Sequence, residues 1–340
     1  MSTEEKYTGW QEAAQREKKT LGERMVLNGK ELRSFFGVIL FFGVMLILSA
    51  WLAGNPFEHT ARIGSEGILK RGWGPESDSW AIIGVVTILA VVFEFLDSAA
   101  GMGYGTTFTP LLLLLGFDPM QVVPVIMIQQ ACAGLSSAFI HRELGNIEWS
   151  LKPLSESVKL WFAISLSGCL AVIFSISSVY ALFQVGSKWI KLYVCLLLFA
   201  MGISSFFGRR RVREYKPGRM FFFGALAGFN KGIGGGGYGP VVTIGGIMSG
   251  VPVKSMTALT ALSEGTVCLV SIVTWFFLLN RGLTMDFILL PSMMLGSMVS
   301  VILAPYTVRV LPEKVWKGVI PVYCCVIGGI CLIKLLPTLF

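Results

Sequence analysis

Four ionisable side chains lie in or beside apolar stretches of this sequence: Glu94, Asp97, Lys231 and Glu264. A charge at membrane depth costs at least ~2.5 to 3.5 kcal/mol on insertion scales, so each needs a compensating partner or a function. Asp97 and Lys231 are embedded in two Gly-rich segments, FLDSAAGMGYGTTFTP from Phe95 and FNKGIGGGGYGPVV from Phe229. Glycine at Gly101, Gly103, Gly105 and positions 234–237 permits left-handed turns and lets backbone amides approach a ligand. Helices beginning just beyond, near Thr106 and Pro240, would aim unpaired N–H groups and positive dipole ends into the same space. That arrangement attracts anions. The chemistry predicted is anion binding, with Lys231 as the binding cation and Asp97 or Glu264 as the counter-charge that an arriving anion displaces. Gly101, Gly103, Tyr104, Gly105, Thr106, Gly235, Gly236, Gly237, Tyr238, Gly239, Gln130 and Ser263 complete the candidate substrate-binding set. Plainer roles compete: glycines that only allow close helix packing, an Asp97–Lys231 structural ion pair, and interhelical hydrogen bonds at Gln130.

Other chemistries fit poorly. GMGYG follows no strand and sits in no βαβ unit, and Lys231 precedes its glycines where a phosphate-loop lysine follows them. A potassium filter needs a TVGYG-like loop in a fourfold assembly. The seven cysteines all fall in apolar runs without CxxC spacing, and His59 and His141 are far apart, so no metal site or cofactor is expected. An intramembrane enzyme would need a nucleophile with its base or a metal constellation, and no Ser/His/Asp, GxSxG or HExxH set is present.

The elements that must position these residues are membrane helices. At 340 residues, 54% hydrophobic and 14% charged, with mean hydropathy +0.70, the chain is too apolar for a soluble domain, and the lipid bilayer is its expected solvent. Apolar runs long enough to cross the hydrocarbon core occur at 35–53, 122–140, 158–182, 189–207, 256–279, 285–305 and 316–338. The first follows a charged tail and exceeds a signal-peptide core in length, which marks it as a retained anchor. The net charge of +8 comes from basic residues in loops and tails beside these runs, where it reports membrane orientation and not nucleic-acid binding.

At an offset of 134 residues the two Gly-rich segments align without gaps: Phe95 with Phe229, Gly101 with Gly235, Tyr104 with Tyr238, Thr109 with Thr243 and Gly116 with Gly250. Tandem halves of this kind mark secondary transporters. The basic tail, from Lys6 to Arg33, and the basic run Arg209, Arg210, Arg211, Arg213, Lys216 and Arg219 both read as cytoplasmic. An even number of crossings must then separate them. The spans at 35, 122, 158 and 189 supply four, so the first Gly-rich segment enters and leaves on one side as a re-entrant hairpin. The same count inverts the second half relative to the first. The expected fold is an all-α integral membrane protein of about seven transmembrane helices plus two re-entrant Gly-rich hairpins in two inverted repeats. Its divisions are a cytoplasmic tail (1–33), an extra transmembrane helix (34–53), a first transport repeat (80–207), a basic cytoplasmic linker (208–218) and a second inverted repeat (219–338).

GMGYGTTFTPLLLLLGFDP with QVVP after it, and FNKGIGGGGYGPVV with SGVPVKS and ALSEG after it, resemble the paired boxes of the TauE/SafE sulfite exporter family, also called the TSUP family of anion transporters. The resemblance covers roughly residues 80–338. It implies a secondary transporter, in the exporting direction, for sulfite, thiosulfate or a small organosulfonate; the alternative is a transporter or passive channel for another small anion. The partners expected are therefore a small sulfur-containing anion and the lipid bilayer, with no nucleic acid and with homo-oligomerisation left open. The location implied is the cell (inner) membrane, with a multi-pass chain whose N-terminus is cytoplasmic.

Overall fold

The computed structural model describes residues 20–54, 72–73, 82–115, 117, 119–183, 185–186, 217–279 and 287–311, with single positions between 189 and 203 and between 315 and 333. In chain order the elements are α1 (Leu21–Met25), α2 (Gly29–Gly54), the antiparallel pair β1 (Gly72–Trp73) and β2 (Ile82–Ile83), and α3 (Gly84–Ala100). A π-helical turn, Tyr104–Phe108, leads into α4 (Thr109–Leu114), followed by α5 (Pro119–Glu143) and α6 (Glu156–Ile176), which runs on as π-helix through Ser177–Leu182. Then come α7 (Pro217–Gly234), α8 (Tyr238–Met248), α9 (Val253–Leu279) and α10 (Leu290–Val310). Among the described residues, helices joined by short turns account for nearly everything outside the four strand residues.

Five of these helices are long and apolar enough to cross a membrane: Gly29–Ala53, Gln121–Glu143, Glu156–Leu182, Val253–Leu278 and Leu290–Val310. The large apolar side chains exposed along α2 and α6, such as Leu40, Ile47, Phe162 and Phe174, suit a lipid surface. Spans expected at 189–207 and 316–338 lie largely outside the described residues, though the positions described within them are helical. The basic run 209–216 lies wholly outside them.

Two boundaries differ from the sequence expectation for local reasons. The N-terminal span begins at Gly29 because Asn28 Oδ1 accepts from the Glu31 amide at 2.9 Å while Glu31 Oε2 accepts from the Asn28 amide at 2.8 Å, a reciprocal cap. The span expected at 285–305 is Leu290–Val310: Pro291 occupies its first turn, where a missing N–H is harmless, and Pro305 is carried inside the helix.

Element boundaries recur at the 134-residue offset. The ends of α3 and α7 correspond (Ala100, Gly234), as do the starts of the π turn and α8 (Tyr104, Tyr238), of α5 and α9 (Pro119, Val253), and both ends of α6 and α10. Packing is reciprocal: α3 seats against α10, α7 against α6, and α5 crosses its own counterpart α9. Small residues permit the α7–α6 seam. Gly224, Gly228 and Gly232 recur one turn apart, and a Cβ on Gly228 would overlap the Gly168 carbonyl. Each Gly-rich segment turns the chain back on itself. Phe93 and Phe108 pack across the first turn with ring centroids 5.4 Å apart and planes tilted by 40°, and a Cβ on Gly245 of α8 would lie 2.5 Å from the Phe223 ring of α7 across the second.

Candidate anion site

The two turns meet in the protein interior. Gly101 (φ 69°) and Gly235 (φ 70°), equivalent under the offset, both occupy the left-handed region that ends α3 and α7. A Cβ on Gly105 would overlap the Gly235 carbonyl, one on Gly236 the Gly105 carbonyl, and one on Gly239 the Gly101 carbonyl. Thr243 donates its hydroxyl to Gly101 O at 2.9 Å, and the Gly237 amide donates to Thr106 Oγ1 at 3.3 Å. Neither turn has room for a side chain.

Lys231, in the last turn of α7, has no exposed surface. Its Nζ donates to Glu264 Oε1 on α9 at 2.6 Å and to Gln130 Oε1 on α5. Gln130 Nε2 in turn donates to Asp97 Oδ2 at 3.1 Å, and Asp97 Oδ1 accepts from the Tyr104 amide at 3.2 Å. One polar line thus runs from Glu264 through Lys231 and Gln130 to Asp97 and joins the two turns. Of the two counter-charges expected for Lys231, Glu264 is the direct partner, and Gln130 stands between Lys231 and Asp97. Asp97 is held away because it caps the π turn, where a carboxylate meets a free N–H at the positive end of the helix.

The remaining candidates are placed unevenly. Gly105 lies closest to the cation: a Cβ there would be 2.9 Å from Gln130 Oε1 and 3.0 Å from Lys231 Nζ. Gly103 faces back onto α3, where a Cβ would sit 3.1 Å from the Asp97 amide, and Gly237 faces Leu197 and Asn230. Ser263 is buried but donates to Thr260 O of its own helix at 3.1 Å, outside the Lys231 line. Tyr104 and Tyr238 are fully buried beside the turns. Positive φ occurs at Gly101, Gly103, Gly235 and Gly237 but not at Gly105, Gly234 or Gly236. Gly105 and Gly236 serve the close approach of the two backbones, and Gly234 is the last residue of α7.

A second buried polar cluster adjoins the first. Glu94 Oε1 accepts from Ser98 Oγ at 2.7 Å, and Gln129 Nε2 donates both to Glu94 Oε2 at 2.7 Å and to Ser297 Oγ of α10 at 2.6 Å. Sequence reading singled out Glu94 as a charge needing compensation but placed it in no site. The signal available was the QQ pair at Gln129 and Gln130, whose amides face Glu94 and Asp97 respectively.

The family model of the sulfite exporters TauE/SafE matches residues 85–330, which includes both turns and every helix from α4 to α10. The chain belongs to this family. Its members are membrane transporters, as the resemblance in the Gly-rich boxes implied, and the TauE/SafE match begins at the start of α3, leaving the N-terminal helices α1 and α2 outside it. The chain is also similar to the probable membrane transporter protein YtnM of Bacillus subtilis (strain 168), 26% identical over 171 residues, or 47% of this chain and 52% of that protein. It thus spans about half the length of this curated relative. No solved structure matches the chain significantly.

Proposed function

We propose that this TauE/SafE protein is a secondary transporter that carries sulfite, thiosulfate or a small organosulfonate outward across the cell membrane, with Lys231 as the residue that receives the anion. The observation that carries this reading is a lysine without exposed surface, set between two Gly-rich turns and held by one displaceable carboxylate, Glu264, at 2.6 Å. An ammonium group offers three donors and an SO3 group three acceptor oxygens, so an incoming oxyanion competes with Glu264 for the same partner. The first turn of α8 adds positive dipole character and has no side-chain cap of its own. That the family is one of sulfite exporters supports the substrate class.

In the same reading seven spans and two re-entrant hairpins form inverted repeats, with the N-terminus and residues 208–218 in the cytoplasm. The folded-back turns and the reciprocal seating of α3 on α10 and α7 on α6 support it. A cysteine placed at position 212 should be labelled by an impermeant reagent in opened but not in intact cells. Proteoliposomes holding the purified protein should exchange radiolabelled sulfite or thiosulfate, with sulfate and chloride much poorer. Exchange of none of the sulfur anions would refute the substrate class, and conductive flux that no ion gradient concentrates would indicate a channel.

A further inference from the structure

We propose that Glu94 is a proton-binding site that couples anion movement to proton movement, a role resting on the transporter reading above. Glu94 has 1% of its surface exposed. Its oxygens meet only neutral donors, Ser98 Oγ and Gln129 Nε2, and no ion pair reaches it among the described residues. The other buried carboxylates among the described residues have a counter-charge: Glu264 pairs with Lys231 and Glu31 with Arg309. Asp97 also meets neutral donors, the Tyr104 amide and the Gln130 amide group, but is only partly buried. An ionised carboxylate deep in a membrane protein without a counter-charge is costly, so a cation must neutralise it during part of the cycle.

Packing does not explain the residue. Its counterpart at the 134-residue offset is Gly228, which lets α7 touch the Gly168 backbone, whereas the α3–α10 seam holds a carboxylate at the same place. The neighbouring chemistry fits a proton and not a metal ion, since the groups around the carboxylate donate to it and do not form a cage of oxygen ligands. Gln129 carries the second state. Its Nε2 serves Glu94 and Ser297 while its Oε1 has no hydrogen-bond partner. Half a turn of that amide puts Oε1 opposite Glu94 Oε2, where it accepts the proton the carboxyl then carries.

Charged and titratable groups lie near Glu94 on the elements packed about it: Asp97 on its own helix, Tyr104 from the π turn, Lys231 from α7 and Glu264 from α9, with His141 of α5 reaching the Ser98 backbone. His141 Nε2 donates to the Ser98 carbonyl at 2.9 Å, and its Nδ1 accepts from Asn146 at 2.9 Å. Asn146 lines a cavity of about 370 Å³ where α1, α5 and α10 end, so the His141–Asn146 pair stands between Ser98 and that cavity. A proton on Glu94 removes a negative charge beside the Lys231 line, so proton and anion binding reinforce each other by linkage. The two move in the same direction. A divalent anion leaving with one proton still carries one net negative charge, which an inside-negative potential drives outward.

The test uses the full chain in proteoliposomes with radiolabelled sulfite, or thiosulfate if sulfite is not exchanged. Wild type should accumulate the anion severalfold when the outside is made acidic, with alkalinisation of the outer medium. Glu94→Gln should retain exchange, lose its pH dependence and lose accumulation driven by the pH gradient. Gradient-driven accumulation by Glu94→Gln at the wild-type level overturns the proposal. So does wild-type uptake without proton movement, or uptake driven by a sodium gradient instead, a result independent of whether the variant folds. Absence of exchange in wild type would instead refute the transporter reading itself.

Discussion

At the first Gly-rich turn Asp97 caps the π-helical segment by accepting from the Tyr104 amide, whereas at the second turn the equivalent position is Lys231 and α8 begins with no side-chain cap. The scaffolds agree down to the left-handed glycines at Gly101 and Gly235, yet the halves have diverged in charge. The first half sets a carboxylate at its helix N-terminus. The second half has a cation at the equivalent position, and at its helix N-terminus the Gly237 amide meets only the neutral Thr106 hydroxyl. Likewise Gln130 of the first half faces Glu264 of the second across Lys231, and Glu94 stands where the second half has Gly228. The two turns share one scaffold, and substitution at a few positions gave its two ends different charge.

The sharpest way to break this comparison is to force the two turns apart. Gly105→Val and Gly236→Val each drive a side chain into the opposing backbone carbonyl, where overpacking typically costs about 1 to 3 kcal/mol or more. Both should abolish anion exchange, while Gly43→Val on α2, with nothing within 4 Å of its added Cβ, should leave it intact. Exchange in proteoliposomes, with size-exclusion profiles as the folding control, decides the matter. Normal flux in either turn variant would show that the cradle is not where the anion passes.

A second experiment separates a displaceable counter-charge from a static one. Lys231→Met leaves Glu264 buried without its cation and should lower stability by about 3 to 5 kcal/mol, as broken buried pairs do. Adding Glu264→Gln should recover most of the melting temperature but none of the transport. A purely structural pair predicts recovery of both.

Smaller effects sharpen the picture. Asp97→Asn keeps a hydrogen-bond acceptor for Tyr104 but removes the charge, so stability should fall by about 1 kcal/mol with anion affinity changed only a few-fold. A loss of affinity as large as that of the lysine variant would mean that the first turn also belongs to the anion's immediate surroundings. Least of all should come from Glu156→Gln, which removes the exposed 2.8 Å pair with Lys159 in the first turn of α6. Exposed pairs are worth about 0.2 to 1 kcal/mol, and exchange should be unaffected, because this pair lies on the surface and takes no part in either turn.

Much of this is legible in the sequence. Helical spans follow from run length, and the duplication follows from a gapless register that the helix boundaries later repeat. Lys231, Gln130, Glu264 and Asp97 were named because each is polar in an apolar run, and they form one hydrogen-bonded line. What stayed hidden depends on distance between segments far apart in sequence. No local signal says that Gly105 touches Gly235 and Gly236, or that Gln130 intervenes between Lys231 and Asp97. Gly224, Gly228 and Gly232 were readable as a small-residue seam by their four-residue spacing, but their neighbour, Gly168, was not. The early start of α2 depended on the Asn28–Glu31 cap, a signal present in the sequence but masked by the surrounding charged tail.

The central claim is that Lys231 receives the anion, and the most direct test is calorimetric titration of sulfite and thiosulfate into purified wild type, Lys231→Arg, Lys231→Met and the Lys231→Met, Glu264→Gln pair. Each tenfold in affinity corresponds to about 1.4 kcal/mol, and loss of a charge-assisted hydrogen bond should weaken binding by about 1.5 to 3 kcal/mol or more. Both Met-containing proteins should therefore bind at least tenfold more weakly than wild type, and Lys231→Arg should fall between. Wild-type affinity in the folded Lys231→Met, Glu264→Gln protein would contradict the account.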